Sequence, residues 1–216
     1  MLIAKVVLAA GQSSRFNGCK LTADIGFGKT MIEHAVNTLQ ALDDTPVYVV
    51  TGAWHKEVAQ ALAGYQSIEL IENKQWSQGL GNSIATASQT VFKNKSFDGI
   101  LFMLADQVEL KVAHLSELVT GFKRNPSRWC ANYGERLGVP AIFPAVDLSQ
   151  LASLTSDRGA QQLLRSSSEV VNTISLSSAS VDIDTQKQLS NFIAKNDLYH
   201  WLFDPTQDSA SRPIGT

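Results

Sequence analysis

The sequence has few cysteines, little excess charge and no long apolar run. Two cysteines among 216 residues are too few for a disulfide framework, which favours a reducing compartment, and we expect the cytoplasm. The formal net charge is only −2, so no overall field draws the chain to nucleic acid or to an anionic membrane. No apolar stretch approaches the roughly 20 residues that cross a bilayer. We therefore expect neither a nucleic acid nor a membrane as a partner.

The chain also lacks a signal peptide's charged start and long apolar stretch, since it opens with MLIAKVVLAAG. Its four histidines show no metal-ligand spacing. We interpret the N-terminal segment as a buried strand, and we expect chemistry that needs no histidine or cysteine nucleophile.

Short apolar runs alternate with helical patterns along the first half of the chain. Strand–helix–strand units of this kind build a parallel sheet with helices on both faces. The sequence therefore predicts an α/β fold of three layers around a mostly parallel central sheet. The runs that predict strands are Ile3–Leu8, Val47–Thr51, Ile68–Glu72 and Gly99–Leu104.

The pattern becomes less regular after Leu110, although it remains α/β. We expect one domain over residues 1–204, and a polar tail over 205–216 that is poorly ordered. Thr185 is a candidate N-cap for the last helix. The predicted helices are Val112–Phe122, Arg158–Leu164 and Thr185–Ala194, and the predicted strands are Trp129–Tyr133, Val139–Phe143 and Val170–Leu176.

Residues 26–30 read GFGKT, like the end of a phosphate-binding P-loop. That motif requires another glycine five positions before its second glycine, and Ala23 stands there. We interpret the segment as a turn followed by a helix that begins near Thr30. A P-loop NTPase is the least favoured of the enzyme hypotheses.

The glycine- and serine-rich segment LAAGQSSRFNGCK, residues 8–20, follows the first predicted strand. A loop in that position lies at the carboxyl edge of the sheet, where ligands bind. Gly11 lets the backbone approach a ligand closely, and successive amides from Gly11 to Ser14 can form an anion-binding nest. Arg15 and Lys20 add a planar charge and a mobile point charge for phosphate oxygens. A solvated surface loop is the alternative on composition alone.

Two aspartates are candidates for holding a divalent metal ion. Asp106 follows the predicted strand Gly99–Leu104, where a carboxylate can hold Mg²⁺, although capping a turn is the simpler alternative. A second carboxylate is needed, and we choose Asp184 ahead of Asp182, which should face the other way along a strand. We expect Asp106 and Asp184 to lie close together without a protein cation that fully neutralises them.

The spacing LAAG-x-S-x-R, with a lysine five residues later, resembles the signature of nucleotidyltransferases with a GT-A-like fold. The nearest branch is the molybdenum cofactor cytidylyltransferase-like proteins. Phe16 replaces the methionine of their pattern LAAGxSxRMGxxK, and Asn17 replaces its glycine, although asparagine also tolerates a left-handed conformation. The pattern is matched at Leu8, Ala9, Ala10, Gly11, Ser13, Arg15 and Lys20.

Later segments are similar to the same family's motifs and follow the same order. Val108 and Val139 depart from them, since the family has a proline and a histidine at these places. The similar segments are GLGNS at 79–83, LADQ at 104–107, GVPAIF at 138–143, SDRGA at 156–160 and DIDT at 182–185.

The resemblance implies Mg²⁺-dependent transfer of a nucleoside monophosphate to a molybdopterin-type acceptor, with release of pyrophosphate. Ala10 favours CTP as the donor, because the cytidylyl branch carries LAAG. The implied catalytic residues are Arg15, Lys20 and Asp106, and the implied metal ligands are Asp106 and Asp184. The implied nucleotide contacts are Leu8, Ala9, Ala10, Gly11, Ser13, Ser14, Arg15, Lys20, Gly79 and Ser83, and the implied acceptor contacts are Gly138, Pro140 and Asp157.

Two alternatives stay open. A sugar phosphate or another small molecule can replace the molybdopterin-type acceptor. The departures at Val108 and Val139 also leave room for a non-catalytic nucleotide-binding protein that kept the fold.

Overall fold

A twisted sheet runs through the middle of the molecule in the computed structural model. The structure describes residues 1–26, 28–94, 96–134, 136–155, 157, 159–165, 170–176 and 182–203. The predicted tail at 205–216 lies outside the described residues. The strands of the described part are β1 (Ile3–Ala9), β2 (Val47–Thr51), β3 (Ile68–Glu72), β4 (Gly99–Leu104), β5 (Arg128–Asn132), β6 (Leu137–Pro144) and β7 (Val171–Ser175).

Helices follow most of these strands, and their start signals are local. Thr30 caps the first helix in a capping box with Glu33. Thr185 does the same for the last, since its Oγ1 accepts from the Gln188 amide at 3.2 Å and its own amide donates to Gln188 Oε1 at 2.9 Å. The helices are α1 (Met31–Gln40), α2 (His55–Ala61), α3 (Leu80–Asn94), α4 (Val112–Arg124), α5 (Leu148–Ala152), α6 (Gln161–Arg165) and α7 (Gln186–Phe203).

Within the described ranges, no helix combines the length and the apolar character needed to cross a membrane.

The strands lie in the order β3-β2-β1-β4-β6-β5-β7. All neighbours pair in parallel except β6, which is antiparallel to both β4 and β5. The predicted α/β fold with a mostly parallel sheet is therefore confirmed. β3 differs from the expected pattern of strands that are apolar on both faces, because it lies at the sheet edge and only Ile71 of its residues is buried.

Alternate side chains of each central strand supply two separate cores. Val7 packs with Ile32 of α1 and Leu115 of α4 on one face of the sheet. Val6 packs with Ile84 of α3 and Leu164 of α6 on the other face. Since each fully buried side chain of this kind contributes about 1.5–3 kcal/mol, both helix layers hold the central strands rigidly.

Parallel pairing of β1 with β4 places two functional segments side by side. Leu8 lies opposite Leu104, so the segments 10–20 and 105–111 both emerge at the carboxyl edge. A third apolar cluster fixes them to each other, and it contains Phe16, Val108 and Ile183. Phe16 and Val108, two of the residues that differ from the family's motifs, thus pack in the same cluster, where both are buried.

The segment that resembles a P-loop forms a turn, as the sequence predicts. Asp24 pairs with Thr30 in an antiparallel bridge, and the Ile25 amide donates to the Lys29 carbonyl at 2.8 Å.

Candidate active site

A cleft of about 400 Å³ opens at the carboxyl edge of the sheet. Its walls come from the segments after β1, β3 and β4, from the start of α3, from the segment after α5 and from the segment before α7. Gly138 and Pro140, predicted to contact an acceptor, do not line it. The predicted residues that do are Leu8, Ala9, Ala10, Gly11, Ser13, Ser14, Arg15, Lys20, Gly79, Ser83, Asp106, Asp157 and Asp184.

The segment after β1 presents backbone amides along one side of the cleft. Across the described ranges, the amides of residues 11–15 donate no hydrogen bond to the protein. Ser13 and Asn17 have positive φ values of 55° and 65°, which curl the segment and turn consecutive N–H groups outward. The carbonyl of Gln12 accepts from Trp54 Nε1 at 2.8 Å. The chain therefore holds a curled, donor-rich loop without a ligand.

A cluster of opposite charges lies on the other side of the cleft. Lys20 Nζ lies 2.5 Å from Asp106 Oδ2 and 3.0 Å from Asp184 Oδ1. Arg15 Nη2 lies 2.7 Å from Asp184 Oδ2. The two carboxylates lie close together as predicted. The expectation that no protein cation fully neutralises them is wrong, because Lys20 contacts both and Arg15 contacts Asp184, which gives two cations for two carboxylates.

Asp106 retains one buried oxygen, Oδ1, without a partner in the described part of the protein. Its backbone carbonyl accepts from the Ile183 amide at 3.4 Å, which draws the DIDT segment towards the end of β4. An unpartnered carboxylate oxygen in a buried position is costly, and it is well suited to a ligand that supplies a cation. No group of three or more His, Cys, Asp or Glu side chains suited to a metal occurs in the described ranges.

The charges of this cluster shift the pKa values of two members. Burial alone would lower the pKa of Lys20, but Asp106 and Asp184 outweigh it and raise that pKa above its usual value. Partial burial and the charges of Asp106 and Asp184 raise the pKa of Asp182 to about 6, although part of its side chain stays exposed. Asp184 lines the cleft and Asp182 does not, which agrees with the choice of Asp184 ahead of Asp182, although residues 182–184 do not form a strand.

A buried hydrogen-bond network fixes the turn that carries Asp106. The side-chain nitrogen Nε2 of Gln107 donates to Tyr133 Oη and to the Val139 carbonyl, each at 3.0 Å. Tyr133 Oη donates to the same carbonyl at 2.6 Å. Burial raises the pKa of Tyr133 to about 12, so its hydroxyl keeps the proton. Val139 thus contributes its backbone carbonyl to the network, so a valine at the place where the family has a histidine leaves these hydrogen bonds intact.

The wall formed after β3 combines a strained glycine with a buried polar pair. Gly79 has a φ of +98°, and a side chain there would overlap the carboxylate of Asp157. Ser83 Oγ accepts from Asn73 Nδ2 at 3.1 Å, and both residues are buried. Trp76 lines the cleft beside them. Sequence reasoning missed Trp76 and Asn73, and only their position just after β3 could have signalled them.

The predicted acceptor residues fall into two groups. Asp157 lies in the cleft next to Gly79, whereas Gly138 lines a separate, smaller and mostly apolar cavity of about 130 Å³ on the sheet face below α3 and α6. Leu80 belongs to the walls of both.

Solved structures share this fold at low sequence identity. Rv0371c from Mycobacterium tuberculosis superposes with a TM-score of 0.75 at 21% identity, over 90% of this chain and 99% of that chain. A manganese complex of the same protein gives 0.71 at 20% identity, over 90% and 99%. CMP:2-keto-3-deoxy-manno-octonic acid synthetase complexed with CTP gives 0.71 at 16% identity, over 92% and 100%. These likenesses support the fold.

Sequence comparison gives the family. The bifunctional protein GlmU of Francisella tularensis subsp. novicida is 30% identical over 120 residues, which are 55% of this chain and 25% of that protein. The match thus spans about a quarter of the length of this curated relative. The profile of the MobA-like NTP transferase domain matches residues 5–171, a range that contains the curled loop, Lys20 and Asp106. The chain therefore belongs to the family of MobA-like NTP transferase domains and is of nucleotidyltransferase type.

Proposed function

We propose that the protein transfers CMP from CTP to a molybdopterin-type acceptor and releases pyrophosphate, with Mg²⁺ as the metal ion. The observation that carries this proposal is the combination, in one cleft, of unpaired loop amides, two cations and two adjacent carboxylates. An NTP transferase needs these features to hold a triphosphate and neutralise its charge.

The curled loop is the part of the cleft suited to the triphosphate. Amides that donate no hydrogen bond within the described part of the protein are free to bind phosphate oxygens. Arg15 is exposed on the rim and keeps a planar, permanent charge. Each contact of this kind strengthens as negative charge develops on the leaving pyrophosphate, so the loop stabilises the transition state as well as the substrate.

Asp106 and Asp184 fit a magnesium ion by their chemistry. Hard oxygen ligands from one or two carboxylates, completed by substrate phosphates, are the usual protein environment of Mg²⁺. The free Oδ1 of Asp106 and the short distances from both carboxylates to one nitrogen support a cation shared by the pair. Bound there, Mg²⁺ would supply charge neutralisation to the phosphates during transfer.

The chain's own residues align the reacting groups for in-line transfer. An acceptor oxygen attacks the α-phosphorus, the bond from that phosphorus to the bridging oxygen breaks, and pyrophosphate leaves with that oxygen. Arg15 and the loop amides hold the leaving group in line. The buried network around Gln107 keeps the Asp106 turn in place while charge moves.

The preference for CTP rests on Ala10, which is buried at the end of β1 and lines the cleft. A small side chain at this position leaves backbone groups free to read the edge of a pyrimidine. Trp76, which lines the cleft and packs in the same apolar cluster as Ala10, offers an aromatic face for the base. Stacking of this kind contributes about 1–3 kcal/mol per base.

Asp157 at the mouth of the cleft can accept hydrogen bonds from a polar acceptor. A sugar derivative is the second candidate, favoured by the likeness to the CMP:2-keto-3-deoxy-manno-octonic acid synthetase fold.

Pyrophosphate release provides the test. Purified protein, Mg²⁺ and each of the four nucleoside triphosphates are combined with molybdopterin or with sugar phosphates and sugar acids, and Asp106→Asn serves as the inactive control. We expect release with CTP and molybdopterin. Release with a sugar acceptor alone would move the protein to the second candidate, and no acceptor-dependent release from any nucleotide would contradict transfer activity.

A further inference from the structure

We propose that Lys20 acts as a built-in substitute for the divalent cation, so that the protein binds metal tightly only together with a triphosphate. The inference rests on the proposed function for the identity of that triphosphate. The observation behind it is a geometric one: one ammonium group contacts both carboxylates that are suited to the metal.

The contacts of Lys20 differ from those of an ordinary surface ion pair. The side chains of Lys20 and Asp106 are only 12% and 16% exposed, so water screens their interaction weakly. Nζ contacts an oxygen of each carboxylate, at 2.5 and 3.0 Å. The two oxygens are therefore no farther apart than the sum of those distances, and sharing one Mg²⁺ would require them to move to within about 4.2 Å of each other.

Arg15 provides an internal comparison, because it also contacts the cluster but in a different environment. Its side chain is 71% exposed, and among the described residues its ion-pair partner is Asp184 alone. Its planar guanidinium binds one oxygen from the rim and does not enter the space between the carboxylates. Lys20 alone, within the described ranges, contacts Asp106 and Asp184 together.

Metal binding must then displace the ammonium group. A divalent ion and an ammonium group cannot share the same two oxygens without strong repulsion at low solvent exposure. The lysine side chain is a point charge on a flexible stem of four carbons, so it can swing away without movement of the backbone. Metal alone gives it no new partner, whereas the oxygens of a triphosphate bound on the curled loop do.

This exchange couples the two ligands. Triphosphate draws Lys20 from the carboxylates and so strengthens metal binding, and metal strengthens triphosphate binding by the same factor. The free Oδ1 of Asp106 gives the ion a first ligand atom that Lys20 does not block. In the absence of nucleotide, the carboxylates remain neutralised and the cleft stays folded without metal.

Binding of Mn²⁺ in the absence of nucleotide tests the proposal by electron paramagnetic resonance. Lys20→Met keeps the length of the side chain and removes the charge. We expect it to bind Mn²⁺ about tenfold more tightly than the parent, or better. Lys20→Arg keeps the charge and should retain the weak affinity, and Arg15→Met, the matched control on the rim, should change it by less than about threefold. Mn²⁺ affinity of Lys20→Met equal to or weaker than that of the parent would overturn the proposal.

A second measurement uses the parent protein, in case Lys20→Met does not fold. The ammonium signal of Lys20 in isotopically labelled protein, assigned with Lys20→Arg, reports its partners directly by nuclear magnetic resonance. We expect the signal to be unchanged by Mg²⁺ alone at a concentration that saturates with nucleotide, and to shift when Mg²⁺ and CTP are added together. A signal that shifts fully with Mg²⁺ alone contradicts the coupling.

These outcomes separate the inference from the proposed function. Tighter Mn²⁺ binding by Lys20→Met supports the substitute cation even if no nucleotide is transferred. Unchanged Mn²⁺ binding by Lys20→Met would contradict the role of Lys20 as a substitute cation, even if pyrophosphate release establishes CMP transfer.

Discussion

Replacement of Asp106 by asparagine is expected to destabilise the ligand-free protein, although two neighbouring carboxylates would by themselves repel each other. Asp106 Oδ2 accepts a hydrogen bond from Lys20 Nζ at 2.5 Å, and both side chains are largely buried. A hydrogen bond to a charged group contributes about 1.5–3 kcal/mol and a neutral one about 0.5–1.5 kcal/mol. Asparagine keeps the acceptor and loses the charge, so we expect a loss of about 1–1.5 kcal/mol in the free energy of unfolding.

Urea unfolding with chelator and without nucleotide, followed by circular dichroism, measures this loss. Asp184→Asn is the matched control. Asp184 is more exposed and its interaction with Lys20 is longer, at 3.0 Å, so a smaller loss is expected. An Asp106→Asn variant as stable as the parent, or more stable, would refute the view that Lys20 neutralises the cluster in the ligand-free protein.

Three further predictions concern the loop, the glycine wall and pH. Arg15→Ala should weaken binding of Mg²⁺-CTP by about 1.5–3 kcal/mol in calorimetry. Lys29 lies outside the cleft, so Lys29→Ala should change the affinity for Mg²⁺-CTP by less than about twofold. Equal losses of affinity in the two variants would favour the P-loop hypothesis. Gly79→Ala should cost more than about 1 kcal/mol of stability in urea unfolding, since φ is positive and Asp157 leaves no space. Burial lowers the pKa of His34 in the folded protein. The unfolded protein therefore binds a proton at this residue first as the pH falls, and the free energy of unfolding decreases below about pH 6.5. His34→Gln should flatten the dependence of unfolding free energy on pH, and an unchanged dependence would contradict this role of His34.

The regular half of the fold could be predicted because its signals are local. Three of the first four strands, β1, β2 and β4, are short apolar runs, and the helix starts at Thr30 and Thr185 carry their own capping residues. The antiparallel insertion of β6 between β4 and β5 could not be predicted, since no local pattern in 137–144 specifies which neighbours it pairs with. That choice depends on long-range packing of the apolar face of β6.

Individual residues of the site could be predicted from the sequence, but the way their side chains contact one another could be predicted only in part. The spacing of the loop motif identified the segment after β1, and the end of β4 identified Asp106. The position of Lys20 between the carboxylates depends on three segments that are far apart in the chain, so the sequence could not show it. The strand assumed for residues 182–184 does not form, but Asp184 lines the cleft and Asp182 does not, in agreement with the choice of Asp184.

Calorimetric titration of the intact protein with CTP, with and without Mg²⁺, tests the central claim most directly. The account predicts saturable binding of CTP that is tighter than binding of GTP, requires Mg²⁺, is lost on chelation and weakens in Arg15→Ala. Absence of binding by any of the four nucleoside triphosphates to folded protein in the presence of Mg²⁺ would contradict it.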